Sequence, residues 1–222
     1  MHMAIDPDSQ PQRLAPGWVR DVMTGHESMA KEKERRELET RLPGITDIFE
    51  HLINGLPRAG TRQGVNPGEF PVSASVVRKT EDGKRIELVS IVRNRTNRLH
   101  DSTAHAEIEA LREAESKIGA KHLKGFFLLS TCEPCVMCSG AAVNTELGGV
   151  IYGASQEEVK GTHALVDGEY KPWRTSPEGF NANTYLTESG LEVVGGFMAE
   201  DVLHALHRTH GTWAGHYSDP DA

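Results

Sequence analysis

Two short segments constrain this chain more than anything else in it: His105-Ala106-Glu107 and Pro134-Cys135-Val136-Met137-Cys138. One imidazole and two thiolates form a three-ligand set for zinc. A zinc ion with three protein ligands keeps a fourth position for water. Residues this far apart in sequence can grip one ion only if the fold brings two local structures together. Two residues apart on a full helix, His105 and Glu107 would project about 200° apart. They can serve one metal only at a helix entrance, with the ion beyond its end. Asp101-Ser102-Thr103 supplies N-cap candidates just upstream. The cysteine segment repeats the arrangement. Phe126-Phe127-Leu128-Leu129 reads as a buried strand, and Pro134 suits the first position of a helix. Cys135 and Cys138 then face one side of its first turn. The positive end of the helix dipole favours thiolates there.

The chemistry follows from the residue types. Water bound to such an ion loses its proton near neutral pH and becomes a nucleophile toward a ring carbon that bears an exocyclic amine. Glu107 is not a ligand. It can take that proton, pass it to the neighbouring ring nitrogen and protonate the departing ammonia. The rival arrangement adds Cys132 as a fourth ligand, which would close the site and make a structural zinc module. Against it, Cys132 falls at a strand end before Pro134, off the helix carrying the other two thiols, and a closed site has no use for Glu107. Cys132 reads instead as a small, semi-buried strand-end residue. An iron–sulfur cluster lacks a fourth nearby cysteine. A redox Cys pair fits poorly beside a His-x-Glu segment.

Asp101 to Glu107 together with Thr131-Cys132-Glu133-Pro134-Cys135-Val136-Met137-Cys138-Ser139-Gly140-Ala141 resembles the cytidine-deaminase-like superfamily, whose signature is H-x-E followed by P-C-x-x-C. Within it the chain is most similar to the branch of guanine deaminases and bacterial tRNA adenosine deaminases, from about Glu69 to about His210. The resemblance implies a three-layer α/β/α fold with a central mixed five-stranded sheet, a zinc hydrolytic site, and a homodimer or larger assembly. It implies His105, Cys135 and Cys138 as zinc ligands and Glu107 as the proton shuttle. Asn94, seven residues before Asp101, falls where this branch places an asparagine that touches base or sugar. Ala106 joins it as a substrate-side residue. Two departures stand out. Ser102 replaces the usual proline after the aspartate. Asn144-Thr145-Glu146 lies where tRNA-editing members tend to carry basic residues.

The 222-residue chain has a formal charge of −8. Nucleic-acid affinity rests on clustered Lys and Arg that neutralise phosphates, so a small amino-heterocycle is favoured as substrate over a nucleic acid. Arg93, Arg95 and Arg98 surround Asn94 and read as solvated loop arginines. No apolar stretch is long enough to span a bilayer, and the start of the chain lacks a signal-peptide core. Three cysteines, two assigned to metal, point to a reducing compartment, the cytoplasm.

Residues 1–44 read as an N-terminal extension, loosely ordered to about residue 30, then a charged helix over Ala30–Glu39. Residues 45–222 read as the deaminase domain. Ile45, Ile48, Phe49, Leu52, Ile53 and Leu56 mark its first packed helix. Arg58 to Gly68 reads as loop. Strands are expected at Val72–Val77 and Ile86–Val92 around an Asp82-Gly83 hairpin turn, then at Gly125–Ser130, Val150–Tyr152 and Leu191–Val194, the last parallel to its neighbour. Helices are expected after each motif, the first to Lys117 and the second to Thr145 with Gly148-Gly149 as its stop. Two more are expected over Gln156–Leu165 and Ala199–His210. The stretch 167–190, with Tyr170, Trp173, Phe180 and Tyr185, reads as a long loop whose aromatics either stack on a ring or anchor to the core. His204 and His207 read as a polar helix face.

Overall fold

The computed structural model describes residues 25–56, 70–160, 164–166, 169–171, 176–177 and 179–213. In chain order, α1 (Gly25–Arg41) and α2 (Ile45–Asn54) precede a hairpin, β1 (Ser73–Lys79) and β2 (Ile86–Arg93). A short α3 (Thr96–Leu99) leads to α4 (Ala106–Ile118), β3 (Phe127–Cys132), α5 (Val136–Asn144) and β4 (Gly149–Ala154). Then come α6 (Gln156–Lys160), a small hairpin of β5 (Ala164–Val166) and β6 (Glu169–Lys171), α7 (Ala182–Glu188), β7 (Glu192–Val194) and α8 (Ala199–Trp213). Among the described residues no helix is long and apolar enough to cross a membrane.

Five strands form one mixed sheet in the order β2-β1-β3-β4-β7. β1 is antiparallel to both β2 and β3, whereas β3, β4 and β7 run parallel. Parallel neighbours need crossover connections, and α5 and α7 provide helices for them. α2 and α8 pack on one face of the sheet, and α4 with α5 on the other. The expected mixed sheet between helices is what forms. β4 is buried along its whole length, as a central parallel strand should be.

The chain divides into two compact units, Met1–Glu37 and Leu38–Ala222. In the first, Arg36 pairs with Glu32 one helical turn away at 3.0 Å. In the second, Leu38 and Leu42 join the core ahead of the apolar period that begins at Ile45. Phe49 of α2 is fully buried, and its ring meets Phe197 edge-on at 5.0 Å.

Several local expectations need correction. Residues 80–85 join β1 to β2, since Lys79 pairs with Ile86. The hairpin turns at Asp82-Gly83 as expected, with β1 running two residues further than expected; Asp82 Oδ1 accepts from Thr80 Oγ1 and Lys84 N, and Gly83 has a positive φ of 67°. The expected helix over Gln156–Leu165 is described as α6 over Gln156–Lys160, and Ala164–Val166 is a strand instead. Its β-branched and aliphatic residues pair with β6 inside a stretch read as irregular. That stretch also holds α7, capped by Asn181 Oδ1 accepting from Thr184 N at 2.8 Å. The residue that turns the chain after α5 is Glu146, at φ 57°, not a glycine. Gly148 and Gly149 serve close packing. A Cβ on Gly148 would sit 3.1 Å from Gly125 Cα, and one on Gly149 would sit 2.6 Å from Glu192 O and 2.8 Å from the Phe127 ring. Arg58 to Gly68 and residues before Gly25 lie outside the described residues.

Gly149→Ala drives a methyl group into the β4–β7 ladder. It should lower unfolding free energy by about 1–3 kcal/mol, read as a lower urea midpoint at unchanged slope.

Candidate metal centre and active-site pocket

The His-x-Glu segment enters α4 through a tight turn. Asp101 Oδ1 accepts from Thr103 N at 2.8 Å and from Thr103 Oγ1 at 2.7 Å. The Asp101-Ser102-Thr103 run therefore builds the turn before the helix and does not cap it. His105 itself is the N-cap, with extended backbone at φ −65°, ψ 152°, and its carbonyl accepts from Glu109 N. Cys135 holds the same place on α5, at φ −69°, ψ 173°, with its carbonyl accepting from Ser139 N. Pro134 lies one residue outside, not at the first helical position expected. Neither N-cap residue makes a side-chain capping hydrogen bond. Ordinary caps add about 1 kcal/mol each; here both cap positions are given to metal-type donors. Ser176 Oγ, arriving from far along the chain, accepts from Val136 N at 3.1 Å.

An N-cap side chain projects past the helix end, and this resolves the angular problem of His105 and Glu107. His105 reaches outward from the cap while Glu107 stands inside the first turn of α4. Cys138 lies in the first turn of α5. His105, Cys135 and Cys138 form a group of metal-type donors, all within 4.8 Å of one another. The Sγ atoms of Cys135 and Cys138 are 3.6 Å apart, and His105 Nδ1 is 3.7 Å and 3.6 Å from them. A tetrahedral zinc with bonds of about 2.3 Å to sulfur and about 2.1 Å to nitrogen requires separations of about 3.8 Å between sulfurs and about 3.6 Å from sulfur to nitrogen. The triangle fits a zinc ion. It does not fit a disulfide, whose sulfurs sit about 2.05 Å apart. All three cysteines are free thiols.

The electrostatics match a metal centre waiting to exchange protons for a cation. Cys135 is pushed down to about 4, mainly by the hydrogen bond from Cys138, with His105 helping and burial opposing. The same bond, together with burial, drives Cys138 well above the usual thiol value, so the pair shares one proton. His105 is raised, chiefly by its contact with Cys135. Burial pushes Cys132 up to about 12, aided by the charge of Glu107. Cys132 closes β3, is buried, and stands outside the donor group. Glu107 is only 4 % exposed, and burial pushes its carboxyl up to about 7, with Cys135 adding and His105 opposing.

These groups open into one pocket. Its lining includes the polar Asn94, Glu133 and Gln156 and the apolar Phe70, Val72 and Val159, with His105, Glu107, Cys132 and Cys135. Asn94 follows β2 directly; its N–H donates to Val72 O and its Nδ2 to Thr96 Oγ1 at 2.8 Å. Ala106 opens α4 fully buried and is not among the lining residues. Of the arginines near Asn94, Arg93 ends β2, Arg98 lies within α3, and Arg95 between them meets Glu109 at 3.4 Å. Phe70, Glu133, Gln156 and Val159 were not singled out from sequence. Only Glu133, beside Pro134-Cys135, carried a positional hint. Of the aromatics in the 167–190 stretch, the described Phe180 and Tyr185 do not line the pocket, and the side chain of Tyr170 lies outside the described residues. Phe180 and Tyr185 pack on each other at 5.8 Å, and Trp173 lies outside the description.

This donor set is also what a sequence-family comparison detects, over residues 51–154, as the cytidine and deoxycytidylate deaminase zinc-binding region. Those residues match that region's model over just under half of the chain. The chain is similar over 131 residues, at 34% identity, to the tRNA(Ile)-lysidine synthase of Deinococcus radiodurans, covering 58% of this chain and 22% of that protein. It is 39% identical over 93 residues to the tRNA-specific adenosine deaminase of Aquifex aeolicus, covering 42% of this chain and 58% of that one. The chain thus spans less than two thirds of either relative. A solved guanine deaminase from Nitrosomonas europaea shares the fold, with TM-score 0.52 at 24% identity, covering 64% of this chain and 74% of that one. The matched residues, from within α2 to the end of β4, contain both motifs and four of the sheet's five strands.

Metal ligands must be deprotonated. Cys138 holds its proton well above neutrality, so zinc uptake by the metal-free protein should release at least one proton per ion at pH 7, read with a pH dye in weak buffer. Zinc affinity should fall as pH falls, because each displaced proton then competes better.

Proposed function

We propose that this protein is a zinc-dependent hydrolytic deaminase that releases ammonia from a nucleobase, nucleoside or related amino-heterocycle. The observation that carries this reading is a buried, non-ligating carboxyl, Glu107, beside a zinc-sized donor triangle at the floor of a pocket. His105, Cys135 and Cys138 would hold the ion. Zinc there supplies the Lewis acidity that makes water nucleophilic near neutral pH.

The remaining work falls to the protein. Glu107, a buried carboxyl that is not among the metal donors, can both accept and return a proton. In this reading it takes the proton of the attacking water and gives it to the ring nitrogen, then takes the hydroxyl proton of the tetrahedral carbon and gives it to the leaving amine. The helix entrances of α4 and α5 favour the thiolates. Asn94 would hold the substrate from the pocket wall, and Ala106, whose side chain is fully buried, could contribute only its main chain. The catalytic domain is the second compact unit, from Leu38 onward. A homodimer in the cytoplasm completes the proposal; the three free thiols support the reducing compartment.

A second reading keeps the chemistry and takes an adenosine within tRNA. The 39% identity to a tRNA-specific adenosine deaminase favours it. The net charge of −8 and Glu146, which pairs with Lys124 and His122, favour the small substrate. Salt-sensitive binding to tRNA, with affinity falling steeply between low and physiological salt, would decide for the RNA.

Glu107→Ala should retain zinc and lose about 10²–10⁴-fold in turnover, measured as ammonia release from a panel of amino-purines, pyrimidines and triazines, free and ribosylated. Cys132→Ser should keep both zinc and turnover. Loss of zinc in that variant would instead mean a closed four-ligand site.

A further inference from the structure

We propose that Ser176 is a positioning residue for the metal centre: its hydroxyl holds the first turn of α5, which presents Cys135 and Cys138, in the form that receives zinc. The inference rests on the zinc-site reading above. It adds a residue outside both motifs and beyond the matched residues 51–154.

A helix begins with backbone N–H groups that have no partner inside the helix. In α5 the N-cap is Cys135, which makes no side-chain capping hydrogen bond and belongs to the donor triangle. The first helical residue, Val136, is 42 % exposed, yet its N–H has a protein acceptor. That acceptor is Ser176 Oγ, at 3.1 Å and 40 residues away in sequence. Val136 and Met137 are the residues that separate the two thiols. The bond from Ser176 therefore lands on the backbone that sets where Cys135 and Cys138 stand.

Ser176 is anchored from behind. Phe180 N donates to Pro177 O at 3.1 Å and turns the chain toward α7. Asn181 caps that helix, and α7 packs against α5. A segment fixed to the flank of α5 thus also meets its entrance. Donors already in place bind an ion better than donors that must first be ordered. A bond that favours the formed turn therefore raises zinc affinity. By linkage, zinc strengthens the bond by the same factor. Ser176 acts here through the backbone of Val136 and not as a ligand.

Zinc affinity of the full-length protein is measured at neutral pH by competition with a chromophoric chelator. Ser176→Ala should bind zinc about fivefold more weakly, the scale of one net hydrogen bond. Ser176→Thr keeps the hydroxyl and should keep the wild-type affinity. Ser189→Ala removes a hydroxyl bonded to Tyr185 O at the far end of α7, and should leave zinc affinity unchanged. Equal affinity in Ser176→Ala and wild type would overturn the proposal. An equal loss in Ser176→Ala and Ser189→Ala would do the same, since it would mean a merely structural role. Hydrogen exchange of the Val136 N–H in the unaltered protein gives a second reading that no misfolded variant can spoil. An exposed amide without a partner exchanges like one in an unfolded chain. The Val136 N–H should instead be protected, and removing zinc should reduce that protection by about the same fivefold. Exchange at the unfolded rate with zinc bound, or protection indifferent to zinc, would also overturn the proposal. A protein that bound no zinc would end the zinc reading and this inference together. Zinc affinities as expected, with no ammonia release from any amino-heterocycle tested, would strike the deaminase reading alone.

Discussion

The structure depends on one triangle: a ring nitrogen and two sulfurs, 3.6–3.7 Å apart, at the meeting of two helix entrances. Three donors this close repel as lone pairs or share protons unless a cation sits among them. The protein tolerates the arrangement because the positive ends of α4 and α5 both point there. The shared proton of Cys135 and Cys138 is the metal-free expression of the same pressure. Two cap positions that would ordinarily stabilise their helices are occupied by these donors. Local stability is given up for chemistry, as is common at functional sites.

Everything around the triangle fixes those entrances. β1 and β3 pair antiparallel, and the loops leaving β2 and β3 deliver His105 and Cys135 to one end of the sheet. Arg95 N donates to Ala104 O and ties the loop after β2 to the turn before His105. On the far side, Glu133 N donates to Ala154 O and its carboxylate receives Gln156 N, so the cysteine loop and the start of α6 move as one rim. The backbone that positions the metal donors thus also shapes the pocket wall.

The burial of Glu107 links fold to function in the same way. Its carboxyl is buried in the first turn of α4 beside His105, Cys135 and Cys138, and this burial raises its affinity for a proton. A carboxyl at the surface would be fully ionised at neutral pH and a poor proton donor. Cys132, an equally buried neighbour, is raised far enough to stay neutral, and so serves the site as an apolar wall.

Much of this was legible in the residues. The motif spacings forced two helix entrances, the apolar runs marked all five strands of the sheet, and the period from Ile45 marked α2. Those signals are local, or follow from the fixed geometry of zinc. Other features depend on which segments meet in space. No local pattern distinguishes His105 as a cap from Asp101 or Thr103, because the choice follows from where the chain must leave the turn. Gly148 and Gly149 look like a helix stop and are in fact places where strands approach too closely for a Cβ. The β5–β6 hairpin and α7 hide in a stretch rich in turn formers. The identity of the metal donors and the proton carrier belongs to the sequence, since only those side chains have that chemistry. Whether Cys132 joins them, which residues form the opposite wall, and which residue meets the entrance of α5 were decided by the tertiary structure, because burial and hydrogen-bond direction exist only once distant segments are packed together.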